Sequence, residues 1–454
     1  MRRTLKTQSD TSATVNKPLL ALRAGVALAV TLALTLPATA GPPNVVLIVG
    51  DDQGWTDYGF MGHEHVKTPH LDKLAREALV FKRGYVPTCL CRASLATMVT
   101  GLYPHQHLMT SNDPPIPKGL TNAQANKDAG FLKQRQEMVA LFERSPTLPK
   151  LLEKEGYISF QAGKWWEGNA CRCGGFTEGM THGDPAKGGR HGDDGLKIGR
   201  EGLVPVFDFL DKAKKDQKPF FVWYAPMMPH QPHNPPERLF NKYKGKTKSE
   251  FVAKYWAMCE WFDETIGDVL AKLEKNGQAE NTIVIYLHDN GWIQEENSAN
   301  FAPKSKRSQY DGGLRTPILI KWPGHVKAGE SDRLASSIDL APTILRAVGA
   351  KPTKDMPGID LLDAHWVASR DTVFGETFEH NAIDIARPAA NLDYRWVVEN
   401  HWKLILPHDA NVKDGKPELF DLAKDPTEKT NLAEKHPDLV KALKKKLDAW
   451  WSPE

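Results

Sequence analysis

The chain has 454 residues, 41% hydrophobic and 25% charged, with 35 glycines, 32 prolines and five cysteines. Those fractions exclude disorder, collagen-like repeats and a small disulfide scaffold, and the length suits a large domain with a smaller partner. Residues 1–40 hold Arg2, Arg3, Lys6, Lys17 and Arg23 against Asp10, a net of +4 that leaves −1 of the total +3 for the rest, so there is no electrostatic case for nucleic acid.

Those first forty residues read as a secretory signal. A long polar stretch ends at Arg23, Ala24 to Leu36 is uncharged and mostly apolar, and Pro37 precedes Ala38-Thr39-Ala40, a small-x-small pattern that places cleavage after Ala40. The apolar run falls short of the roughly 20 residues of a spanning helix, so a stable membrane anchor is not expected; an uncleaved anchor is the alternative. No cysteine near the cleavage point would carry a lipid. The expected location is secreted or periplasmic, which is oxidising. Five cysteines (Cys89, Cys91, Cys171, Cys173 and Cys259) is an odd number there, so one has work other than pairing. The two C-x-C pairs are spaced too tightly for the usual structural zinc site.

Past the signal, Val45-Val46-Leu47-Ile48-Val49 runs into Gly50-Asp51-Asp52-Gln53-Gly54. A continuous β-branched run of this kind reads as a parallel strand buried on both faces. Thr68-Pro69 starts a helical pattern through Leu71, Leu74, Ala78 and Leu79, and Leu95, Met98, Val99 and Leu102 make a second stripe from Ala93 onward. Met109 to Ser145, rich in Pro, Asn, Lys and Gln, is long for a plain connection and is expected to govern substrate choice. Tyr157-Ile158-Ser159-Phe160 leads to Gly163-Lys164, Phe220 to Tyr224 leads to Pro226 and His230, and Thr282 to Leu287 leads to His288-Asp289-Asn290-Gly291. From about Ala350 the pieces shorten: Thr372 to Gly375, Arg395 to Val398, Lys403 to Leu406 and Glu418 to Phe420, then a helix over Leu439 to Leu447 with its lysines on the wet face.

Strands alternating with helices predict a doubly wound α/β sheet, with ligands outside the carboxyl ends of the strands. Asp51, Asp52, Asp289 and Asn290 sit at two such ends and make an all-oxygen donor set with three negative charges. Hard divalent cations take that set; the Asn leans toward Ca²⁺, with Mg²⁺ as the alternative. Each Asp-Gly or Asn-Gly pair alone could simply turn the chain. Matching oxygens at two ends, with Lys164 and His230 at two more, argue for a site.

In order and spacing these segments resemble the sulfatase family of the alkaline-phosphatase superfamily. The resemblance runs from Asn44–Gly54 through Gly101-Leu102-Tyr103-Pro104-His105, Gly163-Lys164-Trp165, Pro229-His230 and Asp289-Asn290-Gly291. It continues with Lys306, Tyr310 to Pro317, Ile338 to Thr343 and Glu418 to Leu422. It implies a large, mainly parallel mixed sheet sandwiched by helices over 41–349, and over 350–454 a smaller antiparallel sheet plus helix. It implies hydrolysis of a sulfate ester, with a sulfated carbohydrate as the expected substrate. Cys91 would be converted to formylglycine by a maturation enzyme and its hydrate would attack sulfur. Asp51, Asp52, Asp289 and Asn290 would hold the metal, Lys164, Lys306 and His230 the sulfate oxygens, and His230 would protonate the leaving alcohol.

Two positions depart from the family pattern. Leu95 stands where the family has an Arg four residues after the nucleophile, and Trp166 where it has a His. Arg92 could replace the Arg only from another face of the helix. His105, His107, His182 and His233 are the candidates for the missing His. A shifted register puts Thr88 at the nucleophile position instead. Two further readings therefore stay open: a phosphodiesterase or phosphonate hydrolase using Thr88 or unmodified Cys91, and a non-catalytic relative that binds sulfated glycans.

Overall fold

The computed structural model describes residues 41–183 and 189–453. The signal segment lies outside them. Eight strands form the main sheet: β1 Asn44–Gly50, β2 Leu79–Tyr85, β3 Ile158–Gly163, β4 Glu178–Gly179, β5 Phe220–Ala225, β6 Thr282–His288, β7 Arg315–Lys321 and β8 Gly329–Ser336. Their order in space is β4-β3-β5-β1-β6-β7-β2-β8. Every neighbouring pair is parallel except the two that β7 makes.

Alternation along each central strand sorts side chains into two cores. Val45, Leu47, Val49, Phe221, Trp223, Ile283 and Ile285 face one side, where the Cys91–Thr100 and Leu340–Ala347 helices cover them. Val46, Ile48, Phe220, Val222, Val284 and Tyr286 face the other, under the helices Pro69–Glu77, Val204–Asp216 and Glu250–Asn276. Both faces are covered, which is why these strands read as unbroken apolar runs. The Thr68-Pro69 start holds, but the cap comes from afar: buried Asp263, on the Glu250–Asn276 helix, accepts the amides of His70 at 3.0 Å and Leu71 at 2.7 Å.

One expectation changes and two are filled in. The first helix stops at Glu77 and Leu79 opens β2, a strand concealed by Lys82 and Arg83. The stripe from Ala93 belongs to a helix that begins at Cys91 and is buried on every face, because it is wedged inside the larger core. β7, with Pro317 inside it, reverses an otherwise parallel sheet, which no local pattern signals.

The second sheet, β9 Thr372–Phe378, β10 Leu392–Glu399, β11 Trp402–Pro407 and β12 Glu418–Asp421, is antiparallel in the order β12-β11-β10-β9. Trp396, Val398 and Ile405 on one face join the larger core of the main sheet. Val397, Leu404 and Leu419 on the other pack under Leu443 and Leu447 of the Pro437–Trp450 helix, whose lysines are exposed as expected. Among the described residues no helix is long and apolar enough to cross a membrane.

Candidate active site

Because β1, β2, β3, β5 and β6 run the same way, their carboxyl ends open on one edge of the sheet. Gly50 of β1 lies opposite His288 of β6, so the next residues, Asp51 and Asp289, are neighbours. Asp51 N donates to Met228 O at 2.9 Å, and Asp289 N to Gly50 O at 2.8 Å, which ties the three strand ends together. Asp52 takes a left-handed φ of 61°. Lys164 follows Gly163, whose φ is 101° and where a Cβ would lie 1.9 Å from Ala225 O; only glycine allows that approach.

The sequence-predicted residues meet here. One ligand atom from each of Asp51, Asp52, Cys91 and Asp289 falls within 4.8 Å of the others, and all four side chains are buried. Asn290 Nδ2 donates to Asp52 Oδ1 at 2.7 Å, and its Oδ1 accepts from Cys91 Sγ at 3.2 Å. Lys164 Nζ is 2.7 Å from Asp51 Oδ2, and Lys306 Nζ is 2.6 Å from Asp52 Oδ2. His230 Nε2 stands 3.3 Å from Asp52 Oδ2. His230 Nδ1 is 2.7 Å from the Gln231 carbonyl, which can only accept, so Nδ1 carries a proton and Nε2 is the atom that exchanges one.

Three carboxylates face two ammonium groups, and the titration behaviour records the mismatch. Burial would raise Asp52, but Lys306, His230 and Lys164 outweigh it and hold this carboxyl well below the usual range. Burial, reinforced by Asp51, pushes Asp289 well above it. Burial works against charge on Lys164 and Lys306 too, yet the carboxylates keep both protonated. Of the three carboxyls, Asp289 is the one whose charged form the cluster favours least. Asp289 Oδ2 is buried without a hydrogen-bond partner, and Lys164 Nζ is 3.8 Å away. A buried carboxylate oxygen without a partner, in a cluster with more carboxylates than ammonium groups, is a donor set that fits a hard cation. Burial pushes the Cys91 thiol up to about 12, so the unmodified side chain is protonated at neutral pH and weakly nucleophilic.

Cys91 is the first residue of its helix, with Leu90 at the N-cap. It opens onto a cavity of about 330 Å³ that Lys164, His230 and Lys306 also line. Thr88 is buried and is not among the lining residues. Leu95 packs into the core, and Arg92 is spent on a buried bidentate pair with Glu167 at 2.7 and 2.6 Å, so neither supplies the missing guanidinium to the cavity. Trp166 lines the wall, with the Arg190 guanidinium 4.7 Å from its ring centre and the His191 ring 5.0 Å away. Trp165, Trp223 and Trp292 are core residues.

None of the four histidine candidates lines this cavity. His105 pairs with Glu376, His107 with Thr97, His182 lies exposed near Asp194, and His233 packs between Tyr255 and Trp292. The histidines that line it besides His230 are His191 and His380. His191 Nδ1 is buried and unpartnered, and burial pushes its imidazolium down to about 3. The glycines at 189, 192 and 195 were its one sequence signal; His380, past β9, had none. Asn112, Asp113, Asn122, Asn126 and Phe131 bring the long segment after the Cys91–Thr100 helix to the same wall. The five cysteines are all free, and the Cys171-x-Cys173 pair joins no metal-ligating group among the described residues.

The sulfatase family matches residues 43–350, and the C-terminal part of N-sulphoglucosamine sulphohydrolase matches residues 301–452. N-acetylgalactosamine-6-sulfatase of Rattus norvegicus is 28% identical over 370 residues, covering 73% of this chain and 67% of that protein. Arylsulfatase A of Homo sapiens is 28% identical over 377 residues, covering 71% and 68%. The chain therefore spans about two thirds of the length of these relatives. Ps i-CgsB, solved in complex with k-i-k-neocarrahexaose, shares the fold with a TM-score of 0.71 at 24% identity, over 91% of this chain and 94% of that one. A family match over 43–350, more than half of the sequence and inclusive of every strand end described above, means that the chain belongs to the sulfatase family.

Proposed function

We propose that this chain is a sulfuric ester hydrolase that acts, after export to the periplasm or beyond, on the sulfate ester of a sulfated carbohydrate. Residues 41–349 would form the catalytic part, and 350–454 a subdomain that lends His380 to the cavity. The observation that carries the reading is the convergence of Cys91 with Asp51, Asp52 and Asp289 within 4.8 Å, beside two buried lysines. Asp51, Asp52, Asp289 and Asn290 would hold Ca²⁺, with Mg²⁺ the alternative. When bound, the cation supplies fixed positive charge next to the sulfate oxygens.

The chain's own groups account for the remaining work. Lys164 and Lys306 bind the peripheral sulfate oxygens, where negative charge grows as the bond to the ester oxygen breaks. His230 Nε2 delivers a proton to that oxygen, which leaves as the alcohol. His191 lines the same cavity with a buried, unpartnered Nδ1, and because burial and the neighbouring cations disfavour its imidazolium it serves there as a neutral hydrogen-bonding group and not as the proton acceptor. A thiol held up to about 12 serves poorly as nucleophile, which favours its conversion to formylglycine.

Mass spectrometry of the Cys91 peptide from native secreted protein, paired with turnover of sulfated amino sugars and of 4-nitrophenyl sulfate, tests this reading. The expected result is an aldehyde at position 91 together with sulfate release. A free thiol with turnover of phosphonate esters would transfer the chain to that chemistry. Sugar binding without turnover of any ester would make it a non-catalytic glycan binder.

A further inference from the structure

Most cations lining the cavity are already held by a carboxylate. Lys164 is held by Asp51, Lys306 by Asp52, and Arg190 by Asp113, which also takes Arg135 at 2.8 Å. Arg307 is different. It lines the same cavity, is exposed, and has no hydrogen-bond or ion-pair partner among the described residues. Its φ is 61°, in the left-handed region that non-glycine side chains disfavour. Lys304, three residues earlier, has a φ of 58°, but its ammonium is spent inside the protein, 4.2 Å from the Tyr310 ring centre and on the Glu428 carbonyl. Nothing within the protein accounts for Arg307 in the same way. A strained residue with an unused charge at the edge of a reaction pocket points to a ligand.

The surroundings define that ligand. Asp113, the acid on the wall outside the Asp51, Asp52 and Asp289 cluster, is already occupied, and burial keeps His191 and His380 neutral, Arg307 adding to the effect on His380. With Arg190 and Arg135 already sharing Asp113, no carboxylate on this wall is left to offset Arg307. At about 330 Å³ the cavity is near the small end of ligand pockets, so the group that meets Arg307 lies close to the scissile sulfate. A guanidinium offers a planar fork suited to sulfate or carboxylate.

We propose that Arg307 binds a second anionic group of the substrate, a further sulfate or a uronate carboxylate, on the sugar bearing the scissile ester or on its neighbour. The inference rests on the sulfate-ester reading above. It makes Arg307 a specificity residue and the preferred substrates at least dianionic.

Wild type, Arg307→Gly and Arg307→Lys are compared on a hexosamine monosulfate, the same hexosamine carrying two sulfates, and a monosulfated disaccharide containing a uronate. Glycine suits the left-handed backbone, so Arg307→Gly removes the charge without a folding penalty. Wild type should favour one dianionic sugar by about tenfold or more in kcat/KM, and the favoured one identifies sulfate or carboxylate. Arg307→Gly should bring that preference near parity through KM, and Arg307→Lys should retain part of it. No preference in wild type, or an undiminished preference in Arg307→Gly, overturns the proposal. Calorimetric binding of the same sugars to Cys91→Ala, with and without Arg307→Gly, reads Arg307 apart from catalysis. If the preference appears there while no sulfate ester is ever turned over, the hydrolase reading fails and the Arg307 assignment stands.

Discussion

Two clusters of buried charge lie along the main sheet, and they are built to different ends. At the carboxyl ends of the strands, Asp51, Asp52 and Asp289 face Lys164 and Lys306 beside an open cavity. Where the two sheets join, Asp311 and Glu428 face fully buried Lys403, whose Nζ is 2.9 Å from Asp311 and 2.8 Å from Glu428. Arg315 lies 3.9 Å from Asp311, Tyr85 donates to it at 3.1 Å, and the Asp311 amide donates to Glu428 at 2.6 Å. The second cluster balances its charges and acts as a fastener. The first is one positive charge short, which suits it to the cation proposed for it.

That contrast is most sharply broken by Asp289→Ala. The variant should lose bound metal and on the order of 10³-fold or more in kcat/KM together, read by elemental analysis and turnover. A metal-replete, active variant would mean that the cluster is not a cation receptor. Next in size is Lys403→Met, which leaves Asp311 and Glu428 buried without their ammonium. It should cost about 3–5 kcal/mol in denaturant unfolding while the folded fraction keeps its metal. A loss below about 1 kcal/mol would remove the fastener from the comparison.

A buried carboxylate outside both clusters, Asp263, has no cation partner among the described residues and sharpens the point. Burial pushes Asp263 up to about 7, although the amides of His70 and Leu71 work against that rise. Its folded pKa lies above its unfolded one, so its stabilising contribution is full below about pH 4 and lost as pH rises through about 7. Against Asp263→Asn, wild type should lose at most about 1.4 kcal/mol per pH unit across that window and level off above it. A parallel pH profile for the two proteins would show that Asp263 titrates normally.

Much of this arrangement was legible in the residues. The four central strands announced themselves because each is buried on both faces, and the polar residues just past them had to share an edge once the strands were parallel. Lys306 was legible from its place in the family pattern. The antiparallel β7 was not, since Pro317 and the flanking charges conceal it. The histidine question was misjudged for a related reason. His105 and His107 lie near Cys91 in sequence, yet the chain turns them toward Glu376 and Thr97, while His191 arrives from a separate loop to stack beside Trp166.

The sequence alone determined where the central, doubly buried strands lie and which side chains end them, because burial on two faces demands apolar runs and their ends must be polar. Which cation is left over, which histidine reaches the pocket, and whether Arg92 can serve it were decided only by tertiary structure. Those answers depend on whether a carboxylate from a distant loop arrives within a few ångströms, and Glu167, 75 residues from Arg92, shows how far away that partner can be.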